Sequence, residues 1–168
     1  MAAPGVVRIH EEEKRVTFLV EGQGTMHLSP CVRRHAEAQL AGGAASLTFD
    51  LRGCTYLDST FLGTLVALKR SAACQVPACD FALICPSAEC RQLFKQMWFE
   101  GVFRIATAAA PPSCDCHDLP PDSHDVSAFK HNIVQAHQEL AELAGPAGDP
   151  FRALAARMTK ELNAEKHS

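Results

Sequence analysis

The feature of this sequence that most constrains its fold is a regular alternation of short apolar runs with longer amphipathic runs over residues 6–107. The apolar runs have the length and composition of β-strands, whereas the amphipathic runs repeat with the period of an α-helix. The predicted order is β-β-α-β-α-β-α-β, and strands that alternate with helices are typical of βαβ units. We therefore predict an α/β fold, in which α-helices pack on a mixed β-sheet of about four or five strands.

The predicted strands are rich in β-branched and aromatic residues and are bounded by charged residues, Gly or Pro. Residues 22–24 are expected to end the second strand, because glycine breaks strand patterns. Phe18, Phe49 and Leu83 are predicted to be buried in the sheet, with Leu65 packed against them from a helix. The predicted strands are residues 6–10, 15–21, 47–51, 81–85 and 102–106. The residues predicted to cap the helices between them are Ser29, Asp58 and Ser87.

The composition of the chain changes after Thr107 and again near residue 126, so the chain is predicted to have three parts. Residues 1–107 form the predicted sheet domain, and residues 108–125 are rich in proline and read as a linker. Residues 126–168 hold two amphipathic patterns separated by a short Gly/Pro turn, which predicts a helical hairpin. Such a hairpin buries too little surface to be stable alone. It must pack on the sheet domain, on a second copy as a homodimer, or on a partner.

Composition excludes several classes of partner. The chain carries 16 Lys+Arg against 19 Asp+Glu, a net charge of −3, which argues against a nucleic-acid-binding surface. No apolar run reaches the length of a membrane span, and the N-terminus lacks the basic-then-apolar pattern of a secretory signal. The sequence therefore predicts a cytoplasmic protein with no membrane span.

The eight cysteines could form disulfides, hold a metal or simply be buried. Disulfides are not expected, because thiols stay reduced in the cytosol, and the spacings lack paired zinc knuckles. We interpret the thiols as small buried hydrophobes with a few exposed exceptions. Residues 114–124 offer soft ligands in a Pro-rich stretch, but no second cysteine pair completes a site. The eight cysteines are Cys31, Cys54, Cys74, Cys79, Cys85, Cys90, Cys114 and Cys116.

No catalytic motif is present in the sequence. It contains no P-loop, no HExxH and no Ser-His-Asp order, so we predict no enzymatic activity, no catalytic residue, no metal and no cofactor. The histidines of the C-terminal part, His117, His124, His131 and His137, recur at about helical multiples. We interpret them as a solvated helix face.

The most informative motif runs from Asp58 to Gly63 and reads Asp-Ser-Thr-Phe-Leu-Gly. It follows a strand and opens an apolar helix. From the residues alone, Asp58 and Ser59 are helix caps at an end where free N–H groups and the helix dipole favour an anion. The segment also resembles the STAS domain of anti-sigma factor antagonists, whose signature is Asp-Ser-Ser/Thr-Gly-Leu-Gly at the start of the second helix. The resemblance covers residues 6–107, and the order of strands and helices agrees with it.

The resemblance implies a regulatory role in partner switching and transcription control. In this family the serine that matches Ser59 is phosphorylated by an anti-sigma factor kinase and dephosphorylated by a phosphatase. Ser59 is therefore the implied phosphoacceptor, with Thr60 less favoured. The implied partner-binding residues are Asp58, Ser59, Thr60, Phe61 and Gly63.

Two positions depart from the family pattern. Phe61 stands where the family usually has glycine; exposed, it would alter docking, and buried, it would alter only packing. Thr25 stands where an aspartate often assists the phosphorylated site.

Three functions remain open from the sequence. The first is the partner-switching regulator, and the second is a constitutive STAS-like adaptor subunit of a larger assembly such as an ABC-type lipid transporter. The third is a small enzyme or metal-binding protein centred on residues 114–124. The hairpin either covers apolar surface of the same chain or of a dimer, or it masks or extends the Ser59 surface.

Overall fold

A mixed β-sheet covered by helices forms the centre of the protein, for which a computed structural model describes residues 4–84, 86–107, 115–122 and 125–167. In these ranges the strands are β1 (Val6–Glu12), β2 (Arg15–Gly24), β3 (Ser46–Asp50), β4 (Cys54–Leu57), β5 (Asp80–Ile84), β6 (Ile105–Ala106) and β7 (Cys116–Asp118). The helices are α1 (Ser29–Ala41), α2 (Ser59–Ala73), α3 (Ala88–Gln96), α4 (Val126–Ala141) and α5 (Asp149–Glu165). The predicted α/β fold is confirmed.

The strands are hydrogen-bonded in the order β6-β5-β3-β2-β1-β7, and β4 also pairs with β2. β1 is antiparallel to β2 and to β7, whereas β3, β4, β5 and β6 run parallel to their neighbours. Parallel neighbours need crossover connections, and α1, α2 and α3 supply them, as the alternation of the sequence predicts.

Several strand bounds differ from the prediction. β2 continues through residues 22–24, because a register shift between Gly22 and Gln23 absorbs the irregularity without ending the pairing. The added length is what pairs with β4, a strand that the sequence pattern did not indicate. Only Ile105–Ala106 of the last predicted strand pairs with the sheet. Cys116–Asp118, in the segment predicted to be a linker, pairs with β1, and Cys85 lies outside the described residues.

The core lies between the sheet and its helices. Phe18, Phe49, Leu83 and Leu65 are fully buried, which confirms the prediction for all four. The rings of Phe18 and Phe49 stack at 4.6 Å between centroids on neighbouring strands.

The two C-terminal helices pack on this same core. α4 lies against α2, α5 lies against α4, and a short 3-10 turn, Gly145–Ala147, joins them. Leu140 of α4 is fully buried in the same apolar cluster as the sheet residues. Of the destinations that the sequence left open, the described chain shows the hairpin packed on its own sheet domain.

The cysteines of the described residues behave as predicted for small hydrophobes. Cys31, Cys54 and Cys90 are fully buried and Cys79 is nearly so, whereas Cys74 is exposed. Burial raises the pKa of the Cys31 thiol to about 11, which keeps it protonated. No cluster of three or more potential metal ligands occurs among the described residues; Cys114 and His124 lie outside them.

Candidate functional site

The site is built at the junction where β4 ends and α2 begins. Leu57 pairs with Gly24 at the end of β2, and the Asp58 amide donates to the Gly24 carbonyl at 3.0 Å. Asp58 is extended, with φ −83° and ψ 169°, and its side chain accepts from the Phe61 amide at 2.8 Å. Asp58 is therefore the N-cap of α2. Ser59 is the first helical residue.

Asp58 also ties a second loop to the junction. Its other carboxylate oxygen accepts from the Met26 amide at 2.6 Å. Met26 lies in the turn between β2 and α1, at the position after Thr25. The carboxylate thus bridges the start of α2 and the β2–α1 turn.

The Ser59 hydroxyl does not cap the helix. Its Oγ lies 3.0 Å from Nε2 of His137 on α4. Nδ1 of His137 lies 2.8 Å from the Ile133 carbonyl, which can only accept, so Nδ1 carries the proton of the neutral ring. Nε2 is then an acceptor, and the Ser59 hydroxyl donates to it. The His137 side chain is buried, with 4% of its surface exposed.

Contacts continue along α2 beyond Ser59. A Cβ atom added at Gly63 would lie 2.1 Å from the Ala136 carbonyl oxygen, so α4 approaches α2 at a distance that only glycine allows. Further along, Arg70 forms ion pairs with Glu139, at 2.8 Å, and with Glu142. α4 therefore covers α2 from Ser59 to Arg70.

The structure places the predicted site residues at different depths. Asp58 and Ser59 are half-buried, Thr60 is 3% exposed, and Phe61 is fully buried. Gly63 is buried beneath Ala136. In the described conformation, Ser59 and Asp58 are thus the members of the motif nearest to solvent.

The structure resolves both departures from the family pattern in physical terms. Phe61 is buried, so it alters packing; its ring occupies space beside Gly24, where an added Cβ would lie 3.3 Å from the ring and 2.5 Å from Leu57. The Thr25 main-chain carbonyl accepts hydrogen bonds from the amides of Leu28 and Ser29 at the start of α1.

Two of the predicted helix caps have different outcomes. Leu28, and not Ser29, is the N-cap of α1, whereas Ser87 caps α3 as predicted.

Sequence reasoning missed His137. Its interpretation as part of a solvated helix face is wrong, because the ring is buried against Ser59. A signal was present: His137 follows Ile133 by one helical turn and adjoins Ala136, so it lies at the edge of the apolar stripe of α4.

Replacing Asp58 with alanine is expected to lower the free energy of unfolding by about 0.5–2 kcal/mol, because it removes the N-cap of α2. Asp58→Asn retains one side-chain oxygen for the Phe61 amide, so a smaller loss is expected. Urea denaturation followed by circular dichroism measures both. Equal stability of wild type and Asp58→Ala would show that the cap contributes nothing.

Comparison with known proteins concerns the sheet domain. A family model of the STAS domain matches residues 7–110. The chain belongs to the STAS domain family. The match spans β1 to β6 and the helices α1, α2 and α3, and it includes the Asp58–Gly63 motif, whereas β7, α4 and α5 lie beyond it. No curated protein matches the chain.

Solved STAS structures share the fold. The anti-sigma factor antagonist SpoIIAA in its unphosphorylated form is 18% identical, with a TM-score of 0.53 over 61% of this chain and 88% of that chain. An anti-sigma factor antagonist from Mycobacterium paratuberculosis is 18% identical, with a TM-score of 0.52 over 68% of this chain and 93% of that chain. The Bacillus cell fate determinant SpoIIAA in its phosphorylated form is also 18% identical, with a TM-score of 0.50 over 61% and 91%.

Among the residues that the structure describes, no helix has both the length and the apolar character that a membrane span requires.

Proposed function

We propose that this STAS protein is a non-enzymatic regulator of a partner-switching system that controls transcription. Unmodified, it binds an anti-sigma factor or a related serine kinase through the Ser59 end of α2. Phosphorylation of Ser59 ends this binding, and a phosphatase restores it. The observation that carries the proposal is the position of the Ser59 hydroxyl, on the first residue of α2 within the family's signature motif.

The similar proteins support this function. Two of the solved structures are anti-sigma factor antagonists by name, and SpoIIAA has been described in unphosphorylated and phosphorylated forms. The order of the elements around Ser59 agrees with a modification of this kind.

The phosphorylation reaction requires only a serine hydroxyl from the STAS protein. An ATP-dependent kinase transfers the γ-phosphoryl group: a bond forms between Ser59 Oγ and phosphorus, the bond from phosphorus to the departing ADP oxygen breaks, and the serine proton leaves to a base. Hydrolysis by the phosphatase returns the hydroxyl and releases inorganic phosphate. ATP belongs to the kinase, so the STAS protein itself needs no cofactor.

A phosphoryl group suits the start of α2. It adds about −1.5 to −2 charges, and the N-terminus of a helix is the place where a domain tolerates such an anion. The sheet domain can therefore keep its fold while the added charge and bulk change the surface that a partner meets.

Two features of the Ser59–His137 pair support a structural role for it over a hydrolase site. The Nδ1 proton of His137 is held by a main-chain carbonyl and not by a carboxylate, and the ring is 4% exposed. In the described conformation Nε2 is occupied by the Ser59 hydroxyl, which supports a role of the pair as a hydrogen bond that joins α2 to α4.

Mass-spectrometric phosphate mapping on the full-length protein from the cells that naturally produce it tests the proposal. We expect phosphate on Ser59 of the wild type and its loss in Ser59→Ala. Ser127→Ala is the matched control, because Ser127 is exposed in the first turn of α4 and its removal leaves the Ser59 phosphate in place. Phosphate on Thr60 would require the nearly buried side chain to turn outward.

Binding measurements on the same variants complete the test. Ser59→Ala is expected to bind a co-purifying ATP-binding kinase at least as well as the wild type. Ser59→Asp supplies one charge where phosphate supplies nearly two, so partial weakening is expected, and high salt should reduce it. Equal binding by all variants, with no phosphate on Ser59 or Thr60, would overturn the proposal in favour of the constitutive adaptor.

A further inference from the structure

The C-terminal hairpin covers the surface that the proposed function requires. We infer that the α4–α5 pair is an intramolecular competitor: it closes over the Ser59 end of α2, and kinase or partner binds only when α4 is displaced. This inference rests on the proposed function, since it concerns the regulation of the same site. Four observations carry it.

The first observation is that the Ser59 hydroxyl is hydrogen-bonded to α4. Its proton is donated to His137 Nε2 at 3.0 Å, and the imidazole is itself held by the Ile133 carbonyl. A kinase must bring the γ-phosphorus of ATP to the same oxygen. While α4 is closed, the hydroxyl is held against this buried imidazole, and α4 lies directly beside the oxygen that the kinase must reach.

The second observation is the extent of the cover. Contacts with α4 run from Ser59 past Gly63 to Arg70, which is about 16 Å along α2 at a rise of about 1.5 Å per residue. The first turn of α4 also reaches the β2–α1 turn, where Phe129 stacks on His27 at 5.6 Å. The Asp58 carboxylate binds that same turn. The hairpin thus covers both loops that form the junction.

The third observation is the lack of space for a phosphoryl group. The distance from Ser59 Oγ to Nε2 is already that of a hydrogen bond, and α4 cannot come closer to α2 at Gly63, so no space for added atoms exists while α4 stays in place. Three added oxygens and nearly two charges do not fit between these atoms. The phosphorylated protein and the closed hairpin therefore exclude each other.

The fourth observation is a buried polar group on α4 that has no hydrogen-bond partner. Asn132 lies one helical turn before Ala136 on α4, is 7% exposed, and its Nδ2 has no hydrogen-bond partner among the described residues. A buried donor without an acceptor opposes closure, and the opened state would return it to water. The Arg70 ion pairs lie at the half-exposed rim, where such pairs contribute little.

Together these contacts define a two-state element. In the closed state α4 occupies α2, and in the open state α2 is available to the kinase or partner. Linkage requires the effect to be reciprocal, so hairpin closure weakens partner binding by the same factor by which the partner opens the hairpin.

Hydrogen–deuterium exchange on the full chain tests the inference without any kinase. Phosphoserine incorporated at position 59 during translation is expected to speed exchange in α4 by about tenfold or more, while β2 and β3 stay protected. Phosphoserine at position 55 is the matched control: Thr55 is exposed on β4, so the same charge there should leave α4 unchanged. Ser59→Ala removes one hydrogen bond without adding bulk, so its effect should be the smaller one.

A second variant, changed on α4 and not on α2, tests whether the release of α4 has a cause other than misfolding of the sheet domain that carries phosphoserine. Ala136→Leu leaves every residue of the sheet domain unchanged but overfills a fully buried position on α4. It is also expected to release α4 and, by reciprocity, to speed exchange at the start of α2. Unchanged or slower exchange of α4 in the phosphoserine-59 protein, or in both proteins, would overturn the inference.

The two proposals can fail separately. Phosphate mapped to Ser59 together with unreleased α4 would contradict the competitor and leave the proposed function standing. Released α4 in a protein that cells never phosphorylate on Ser59 would contradict the proposed function, while the exclusion of phosphate by the closed hairpin would still hold.

Discussion

Replacing Phe49 with alanine is expected to lower the free energy of unfolding by about 3–5 kcal/mol. Phe49 is fully buried on β3, between β2 and β5. Its ring stacks on Phe18 at 4.6 Å with an interplanar angle of 8°, and lies 5.6 Å from Phe81. Alanine would remove apolar surface from the core and leave a cavity that three paired strands cannot close by moving together.

Urea denaturation followed by circular dichroism measures this loss. Tyr56→Ala is the matched control, because Tyr56 is an aromatic residue on a strand but 47% of its surface is exposed. Its removal should change stability by no more than about 0.5 kcal/mol. If Phe49→Ala were as mild as the Tyr56 variant, the assignment of β3 to the centre of the core would be wrong.

Gly63→Ala is expected to have the second-largest effect, and its sign is opposite to that expected from helix propensity. Alanine in the interior of a helix is favoured over glycine by about 1 kcal/mol. Here the added Cβ would lie 2.1 Å from the Ala136 carbonyl oxygen, and a main-chain atom cannot turn aside as a side chain can. α4 must move, so we expect a net loss of about 1–3 kcal/mol in the stability of the packed hairpin.

Gly42→Ala distinguishes this contact from a general effect of the substitution. Gly42 ends α1 with φ −77°, and an added Cβ would lie 3.4 Å from its nearest neighbour, the Ala38 carbonyl oxygen. Alanine is sterically acceptable there, and stability should stay the same or rise slightly. Denaturation and hydrogen exchange on both variants should show α4 released in Gly63→Ala alone. A stabilised Gly63→Ala protein would show that α4 does not pack on α2 as described.

Local sequence patterns were sufficient for most of the sheet domain. Alternation and end signals predicted β1, β2, β3 and β5 within a few residues, because a buried strand and its boundaries are written in consecutive side chains. They also located the start of α2, where the Asp58 side chain reaches an amide only three positions away. The short strands β4 and β7 were not predicted, and only two residues of the last predicted strand form β6, since two to four paired residues leave too little pattern.

The sequence predicted the site only in part, and this too has a physical reason. The motif from Asp58 to Gly63 identified the family and the serine, but local pattern assigned the Ser59 hydroxyl to capping. Asp58 is the N-cap of α2, and the Ser59 hydroxyl donates its hydrogen bond to His137, a residue 78 positions away. Helical periodicity placed His137 on α4 but left open whether the surrounding surface was solvent or another helix.

The sequence by itself determined most of the elements: the longer strands, the helices, where α2 starts, and that a separate helical pair follows a Pro-rich stretch. Those properties depend on neighbours within a few residues, through hydrogen bonds and side-chain periodicity. Tertiary structure alone decided that α4 lies on α2, that Gly63 admits the Ala136 backbone, and that His137 binds Ser59. Those contacts depend on which apolar faces meet when the core forms, and the period of a helix specifies a buried face without specifying what covers it.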